Sequence, residues 1–183
     1  MGTLKEFKFK KIKNFSNTDE LTVISKYCEI KHRNTIPCNE KDIEMNHGDW
    51  GYYADPLMEA LLNYKKDVVE KESGLELHPT YSFWRMYTYG SRLPEHTDRP
   101  SCEISVTAHI DGAANKWPII VDGKKIVTEP GDAVLYLGID LKHSRDMLNE
   151  DFQSQVFLHY VDANGINKDY KYDKRIMLGY GEK

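Results

Sequence analysis

Apolar residues recur with two different periods along this chain, and the period changes near residue 80. Phe7 and Phe9 alternate with Lys8 and Lys10, which predicts a strand over 5–13 whose lysines face water and guard an edge against pairing. Ser16 can cap a helix running to Glu29, with Leu21, Ile24, Tyr27 and Cys28 on one face. Residues 31–52 are polar and irregular. Asp55-Pro56 is an N-cap followed by a first-turn proline. It predicts a helix through Leu57, Leu61, Leu62, Val68 and Val69 that stops near Ser73-Gly74.

From Tyr81 onward short strand-like runs alternate with turns, at 81–89, 102–110, 118–122, 124–128, 132–137 and 153–161. Asp122-Gly123 between two β-branched runs predicts a two-residue hairpin, and Glu129-Pro130-Gly131-Asp132 a further turn. Two helices followed by six strands predict an α+β, mainly β domain, with the helices braced against one face of a sandwich or jelly-roll barrel. Neither repeats nor a linker interrupt the chain, so residues 1–183 read as a single domain. Residues 1–80 would support a β core at 81–162, and 163–183 would form a charged, solvated tail that could otherwise clamp substrate.

Composition narrows the classes. The 183 residues carry 25 Lys+Arg against 29 Asp+Glu, a net charge of −4, which argues against a nucleic-acid binder working through bulk positive charge. A mean hydropathy of −0.64 and the lack of any apolar run near 18 residues exclude a spanning helix. The N-terminus MGTLKEFKFKK has no apolar h-region, and the three cysteines form no CxxC pair, so the simplest reading is a reduced, cytoplasmic protein.

The chemistry concentrates in three residues. In extended backbone, His96 and Asp98 of His96-Thr97-Asp98 point to one face and can converge on one ion. His143 follows the PGDAVLYLG strand and its turn. Two histidines and one carboxylate on one face leave the opposite face open, which suits non-haem Fe(II) holding a chelating cosubstrate and oxygen. An HxD by itself is a weak signal; its place in the strand-rich half, with a later histidine after a PGD turn, strengthens it. His109 and His159 read as hydrogen-bonded core groups, and His32, His47 and His78 as surface residues.

The run YSFWRMYTYGSRLPEHTDRPSCEIS, then WPIIVDG, PGDAVLYLG, His143-x-Arg145 and QVFLHYVD, resembles the Fe(II)/2-oxoglutarate-dependent oxygenases. The branch it looks most like is the prolyl-4-hydroxylase-like one with its small bacterial and viral members. The resemblance covers about residues 80–162, and the two helices suit that family's supporting helices. It implies a double-stranded β-helix, a cupin-like barrel, with His96, Asp98 and His143 as iron ligands. It also implies 2-oxoglutarate and O2 as cosubstrates, succinate and CO2 as products, and ascorbate as an accessory reductant. In related halogenases a small residue replaces the carboxylate, so Asp98 favours hydroxylation or demethylation.

One departure stands out. The family usually places Arg or Lys about ten residues after the second histidine to hold the C5 carboxylate of 2-oxoglutarate, and here Phe152, Gln153 and Ser154 occupy those positions. A dicarboxylate in a buried pocket needs a cation. Arg145, two residues after His143, and Arg85, two before Tyr87, are the choices, with Arg145 preferred; either could instead form a salt bridge with Glu95, Glu103 or Asp146. Tyr87 matches the position from which family members donate a phenol, and Gln155 could donate from the last strand. Arg99 either orients a ligand or faces solvent.

The resemblance favours a peptide, protein or small amino-acid-like substrate, with hydroxylation of a prolyl or other residue or of a free amino acid. The loops at 31–52, 74–80, 90–95 and 112–117 would form the mouth. Their aromatics Trp50, Tyr52, Tyr53 and Trp117 would stack on substrate or plug the seam between helices and barrel. Two competing classes remain, a non-catalytic cupin-like metal- or ligand-binding module and an iron oxygenase with another cosubstrate.

Overall fold

The computed structural model of the chain describes residues 3–33 and 50–179, without the side chains of Arg33 and Trp50. In chain order the elements are α1 (Leu4–Phe7), β1 (Phe9–Ile12), α2 (Thr18–Arg33), β2 (Trp50–Tyr53), α3 (Pro56–Tyr64), α4 (Lys66–Ser73), β3 (Leu77–Thr88) and β4 (Leu93–His96). A 3-10 turn at Pro100–Cys102 precedes β5 (Ile104–Gly112), β6 (Ile119–Val121), β7 (Lys124–Ile126), β8 (Ala133–Leu137), β9 (His143–Arg145) and β10 (Phe152–Asp162), and a second 3-10 segment spans Lys168–Lys174.

The strands form two antiparallel sheets, one of six in the order β1-β8-β5-β10-β3-β2 and one of four in the order β4-β9-β6-β7. This is a double-stranded β-helix, mainly β, with the helices packed on the outer face of the larger sheet. The alternation of side chains along β3 and β10 explains the layering. Trp84, Val156 and Leu158 point outward into the core with Ile24, Cys28, Met58, Leu61 and Leu62. Burying Leu62, Met58 or Leu158 stabilises the fold by about 1.5–3 kcal/mol each. Two hydrogen bonds fix this seam: Trp84 Nε1 donates to Ser154 Oγ at 2.8 Å, and the Tyr160 hydroxyl to the Leu62 carbonyl at 2.7 Å. No described helix is long and apolar enough to cross a membrane.

Several expectations need correction. Residues 5–13 do not form one strand, because a helical turn at Leu4–Phe7 precedes β1. β1 is an edge strand, but Lys10 and Lys11 pair with Glu72 and Asp132 rather than facing water alone. The cap of α2 is Asn17, not Ser16. Asn17 Oδ1 accepts from the Glu20 backbone N–H at 2.9 Å while Glu20 accepts from the Asn17 N–H at 3.1 Å, a reciprocal capping box. The second predicted helix is two, because the chain turns at Lys65. Its buried ammonium donates to the Phe15 carbonyl at 2.7 Å and to Glu20 at 2.6 Å, and Val68 is left exposed. Asp55 does cap α3, accepting from the backbone of Leu57 and Met58 at 3.0 and 3.3 Å.

β2, β4 and β9 are additional strands, and β3 starts at Leu77, so 77–80 is not loop. Residues 102–103 fall in the turn before β5. Of the expected mouth loop at 31–52, residues 34–49 and the Trp50 side chain lie outside the described residues. Tyr52 stacks on Trp84 with centroids 4.5 Å apart, and Trp117 is buried beside Tyr87, so these two rings plug the structure.

The described part of the tail, 163–179, is tied down through Asp173 and Arg175, while many of its side chains stay exposed. Asp173 takes both nitrogens of Arg99, at 2.8 and 2.7 Å, and the Tyr53 hydroxyl at 2.6 Å. Arg99 remains exposed to solvent, as one of its two readings expected, while its guanidinium lies 4.5 Å from the Tyr81 ring centre.

Candidate metal centre and barrel interior

A cavity of about 150 Å³ opens between the two sheets. Tyr81, Phe83, Arg85 and Tyr87 of β3 line it from the larger sheet with Phe157 and His159 of β10, and His96 and His143 from the smaller one. The spacing of two along each strand is what aims all of them inward.

β4 and β9 pair with His96 opposite His143, so the two rings lie side by side, 4.3 Å between centroids. Asp98, two residues past His96, sends Oδ1 between them, 3.6 Å from His96 Nε2 and 3.4 Å from His143 Nε2. Each ring's other nitrogen meets a main-chain carbonyl: His96 Nδ1 that of Pro94 at 2.8 Å, His143 Nδ1 that of Leu141 at 3.0 Å. A carbonyl only accepts, so Nδ1 carries the proton and Nε2 presents its lone pair to the centre. Burial alone would raise the Asp98 pKa, but the imidazoles of His143 and His96 outweigh it and hold the carboxyl well below the usual range. A metal would take all three as deprotonated donors, Asp98 through Oδ1 and each histidine through Nε2.

Among the described residues, a second group of potential ligands, Asp98, Cys102 and His159, shares the aspartate. Burial, followed by the Asp98 charge, pushes the Cys102 thiol up to about 12, so it stays protonated and is the poorer ligand. The His96, Asp98 and His143 group is the one that can hold a divalent metal.

Beyond these three, the barrel narrows into a polar end. Arg145 shares the inward face of β9 with His143 and is 2 % exposed. Its Nη1 donates to the Trp117 carbonyl at 2.7 Å, and the guanidinium lies 4.7 Å from the Trp117 ring centre. Nε and Nη2 have no partner. Burial pulls its pKa down to about 10, so the cation persists at neutral pH. The expected alternatives fail for Arg145, because Glu95 pairs with Lys142, Asp146 with Lys125, and Glu103 accepts from the Asp162 N–H.

Arg85 borders the cavity itself, with Nη1 3.4 Å from the Tyr87 hydroxyl. Arg85 lies opposite Gln155 across the strands, and Tyr87 opposite Gln153. Gln155 accepts from Thr107 Oγ1 at 3.0 Å and leaves Nε2 without a partner, and neither polar atom of Gln153 has one. Buried amides left this way each cost about 1–3 kcal/mol. A row of unmet amide donors beside a guanidinium is a place for a carboxylate.

In the sequence Gln153 stands only at the place of a missing cation, and His109 and His159 are, as expected, buried and hydrogen-bonded. His109 lies near Arg145: burial first, and that charge second, pull its pKa to about 4. His159 stands next to Ser105, whose hydroxyl reaches Asp98 Oδ2 at 3.0 Å. Gly138, the last residue of PGDAVLYLG, closes the cradle. A Cβ there would lie 2.5 Å from Asp98 Oδ2 and 2.2 Å from the Cys102 carbonyl oxygen. The signal for these residues was the same spacing of two, read from strand partners the sequence does not reveal.

No protein-family model matches the chain, and none of the curated proteins matches it in sequence. Solved structures do. A Pseudomonas putida prolyl-4-hydroxylase superposes with a TM-score of 0.61 at 15 % identity, over 85 % of this chain and 94 % of its own. The viral collagen prolyl hydroxylase of Paramecium Bursaria Chlorella virus-1, in its 2-oxoglutarate complex, gives 0.63 at 10 % identity over 87 % and 98 %. The α-ketoglutarate-dependent non-haem carbocyclase SnoK of nogalamycin biosynthesis gives 0.68 at 12 % identity over 98 % and 91 %. At these identities the likeness establishes the fold: the chain shares the double-stranded β-helix of 2-oxoglutarate-dependent non-haem enzymes.

Proposed function

We propose that this chain is a single-domain Fe(II)- and 2-oxoglutarate-dependent oxygenase that hydroxylates a C–H bond of an amino-acid-like substrate, with a prolyl or other residue of a peptide as the first choice. The observation that carries the reading is the pairing of two features in one barrel. One is the convergence of His96 Nε2, His143 Nε2 and Asp98 Oδ1. The other is the buried guanidinium of Arg145 with two unpartnered nitrogens.

Bound at the three donors, iron with 2-oxoglutarate would supply the oxidising power for C–H hydroxylation, releasing succinate and CO2. The chain does the rest. The carbonyls of Pro94 and Leu141 hold the two Nδ1 atoms, so Nε2 of each ring is the nitrogen turned to the metal position. Arg145 would meet the distal carboxylate of the cosubstrate with its free Nε and Nη2, a planar fork suited to two oxygens. Tyr87, Gln155 and Gln153 would complete that contact, with Arg85 as the alternative anchor. Phe83 and Phe157, 6.4 Å apart between centroids, would exclude water and offer an apolar wall to a ring such as proline. Two of the structural relatives are prolyl hydroxylases by name, which supports that choice of substrate.

The test is anaerobic titration of the iron-loaded protein with 2-oxoglutarate, followed in the visible spectrum. A broad charge-transfer band is expected, lost in His96→Ala. Iron binding with no band would overturn the reading and put the cupin-like binding module in its place.

A further inference from the structure

Asp98 has two oxygens with different surroundings. Oδ1 faces the two imidazoles, and Oδ2 turns to Ser105 Oγ at 3.0 Å. The same hydroxyl lies 3.0 Å from the Cys102 carbonyl and 2.9 Å from His159 Nδ1. A serine hydroxyl has one proton to give. Of its neighbours, the carboxylate and the carbonyl can only accept. With His159 Nδ1–H donating into the serine oxygen, the serine proton is left for these two acceptors, of which the charged Asp98 Oδ2 is the stronger. With the opposite tautomer the serine proton would go to the imidazole, and a buried carboxylate oxygen would lose this donor.

The arrangement is built tightly. Ser105 and His159 are partners across β5 and β10, 0 % and 5 % exposed. The His159 ring is held against Tyr81 with centroids 4.6 Å apart, and the Tyr81 hydroxyl is 3.1 Å from Cys102 Sγ. Gly138 lets Oδ2 come this close, since a Cβ there would lie 2.5 Å from it. A leucine would fill the His159 position in a purely apolar barrel wall. A histidine there, aimed through a serine at the aspartate, has a different use.

We propose that His159 is a positioning residue that acts through Ser105 to hold Asp98 as a one-oxygen ligand, keeping Oδ2 off the metal so that the positions facing the cavity stay open for a chelating cosubstrate. This rests on the metal site proposed above. The hydrogen bond to Oδ2 draws charge from the carboxylate and fixes its plane. Without it the carboxylate is free to turn and offer both oxygens, and the chelating pair would compete with Oδ2 for a position.

Titration of the metal-free protein with Co(II), read from its visible d–d bands and repeated with 2-oxoglutarate present, tests this without turnover. Ser105→Ala and His159→Phe should each weaken Co(II) binding about tenfold and alter the bands, as removal of a ligand's outer hydrogen bond does. His159→Asn, whose side-chain amide can donate from the Nδ1 position, should stay within about twofold of wild type. The double variant Ser105→Ala/His159→Phe should bind Co(II) no more weakly than Ser105→Ala, because the histidine works only through the serine. Additive losses in the double variant, or unchanged affinity and bands in both folded single variants, would overturn the inference and leave the metal site standing. Ser105→Ala with His159→Asn carries the comparison if His159→Phe does not fold. Wild type that takes up no Co(II), or a His96→Ala that takes it up equally well, would overturn the metal site and this inference together.

Discussion

Arg145 is held against Trp117 from two sides: its Nη1 donates to the Trp117 carbonyl at 2.7 Å while its guanidinium lies 4.7 Å from the indole centre. The contact orients the cation without neutralising it. An uncompensated buried charge costs several kcal/mol, whereas the hydrogen bond lost from the carbonyl on substitution costs about 1–3 kcal/mol. The first effect is the larger, so ligand-free Arg145→Met should be more stable than wild type by about 1–2 kcal/mol. Thermal unfolding of both proteins, with and without 2-oxoglutarate, checks this. The diacid should raise the wild-type Tm and leave that of Arg145→Met unchanged.

The same residue sets the demand for cosubstrate. If its free nitrogens hold the distal carboxylate, Arg145→Met should raise the 2-oxoglutarate concentration needed for half-saturation about 100-fold, the loss of a charge-assisted pair of roughly 3 kcal/mol. Arg85→Gln should raise it less than about tenfold. A reversal of that order would make Arg85 the anchor.

Gly138 is constrained by approach, not by backbone angle. A methyl group there would meet the Cys102 carbonyl oxygen at 2.2 Å, Asp98 Oδ2 at 2.5 Å and Ser105 Oγ at 2.7 Å. The Asp98 N–H also donates to the Gly138 carbonyl at 2.9 Å, so a shift of this residue carries the aspartate with it. Gly138→Ala should cost about 1–3 kcal/mol of stability and remove tight metal binding. Circular dichroism together with metal content after gel filtration would show a folded protein without metal.

Much of this was legible before the structure, and the reason is the strand's period of two. His143 and Arg145, and Arg85 and Tyr87, are two apart on one strand, and Asp98 lies two past His96 at the end of β4, so their common faces could be read from the chain. The strands that carry the donors were harder. β4 is LPEH and β9 is HSR, too short and too polar to show any apolar alternation. The Ser105–His159 relation was hidden because it joins residues 54 apart, and depends on the register of β5 against β10. The break at Lys65 was hidden too, because a lysine in an amphipathic run reads as solvent-facing until Glu20 and the Phe15 carbonyl are folded over it.

His109 gives the fold a pH dependence. Burial, and then the nearby Arg145, lower its pKa to about 4, against the pull of the Thr128 and Asp111 carbonyls at 3.2 Å. The unfolded chain takes up this proton near the ordinary value of 6.5, the folded one only near 4. Stability from the neutral ring is therefore complete above about pH 6.5, and is lost progressively as the pH falls toward 4, by at most about 3 kcal/mol. His159, also lowered to about 4 by burial, adds a loss of the same sign. Urea unfolding of the metal-free protein between pH 7 and 4 should show the decline, and His109→Gln should flatten it. A slope unchanged by His109→Gln would mean that His109 is not the group responsible.

The docked C-terminal segment hangs on one buried carboxylate. Glu59 of α3 is 2 % exposed, and Arg175 reaches it with both Nη1 and Nη2 while also donating from Nη2 to the Thr80 carbonyl at 3.0 Å and from Nε to the Tyr172 carbonyl at 2.9 Å. The Gly179 N–H closes on the same carboxylate. Removing Arg175 leaves a charge in a site water does not reach, which costs about 3–5 kcal/mol. In a chain of this size that is a Tm lower by about 6–20 °C. Because the damage comes from the stranded charge, Arg175→Ala/Glu59→Gln should recover most of the loss, although it restores none of the guanidinium's contacts. Thermal unfolding of the two variants separates the causes. A double variant as unstable as Arg175→Ala would mean that Arg175 acts through packing on α3 and β3, and that Glu59's charge costs the fold nothing.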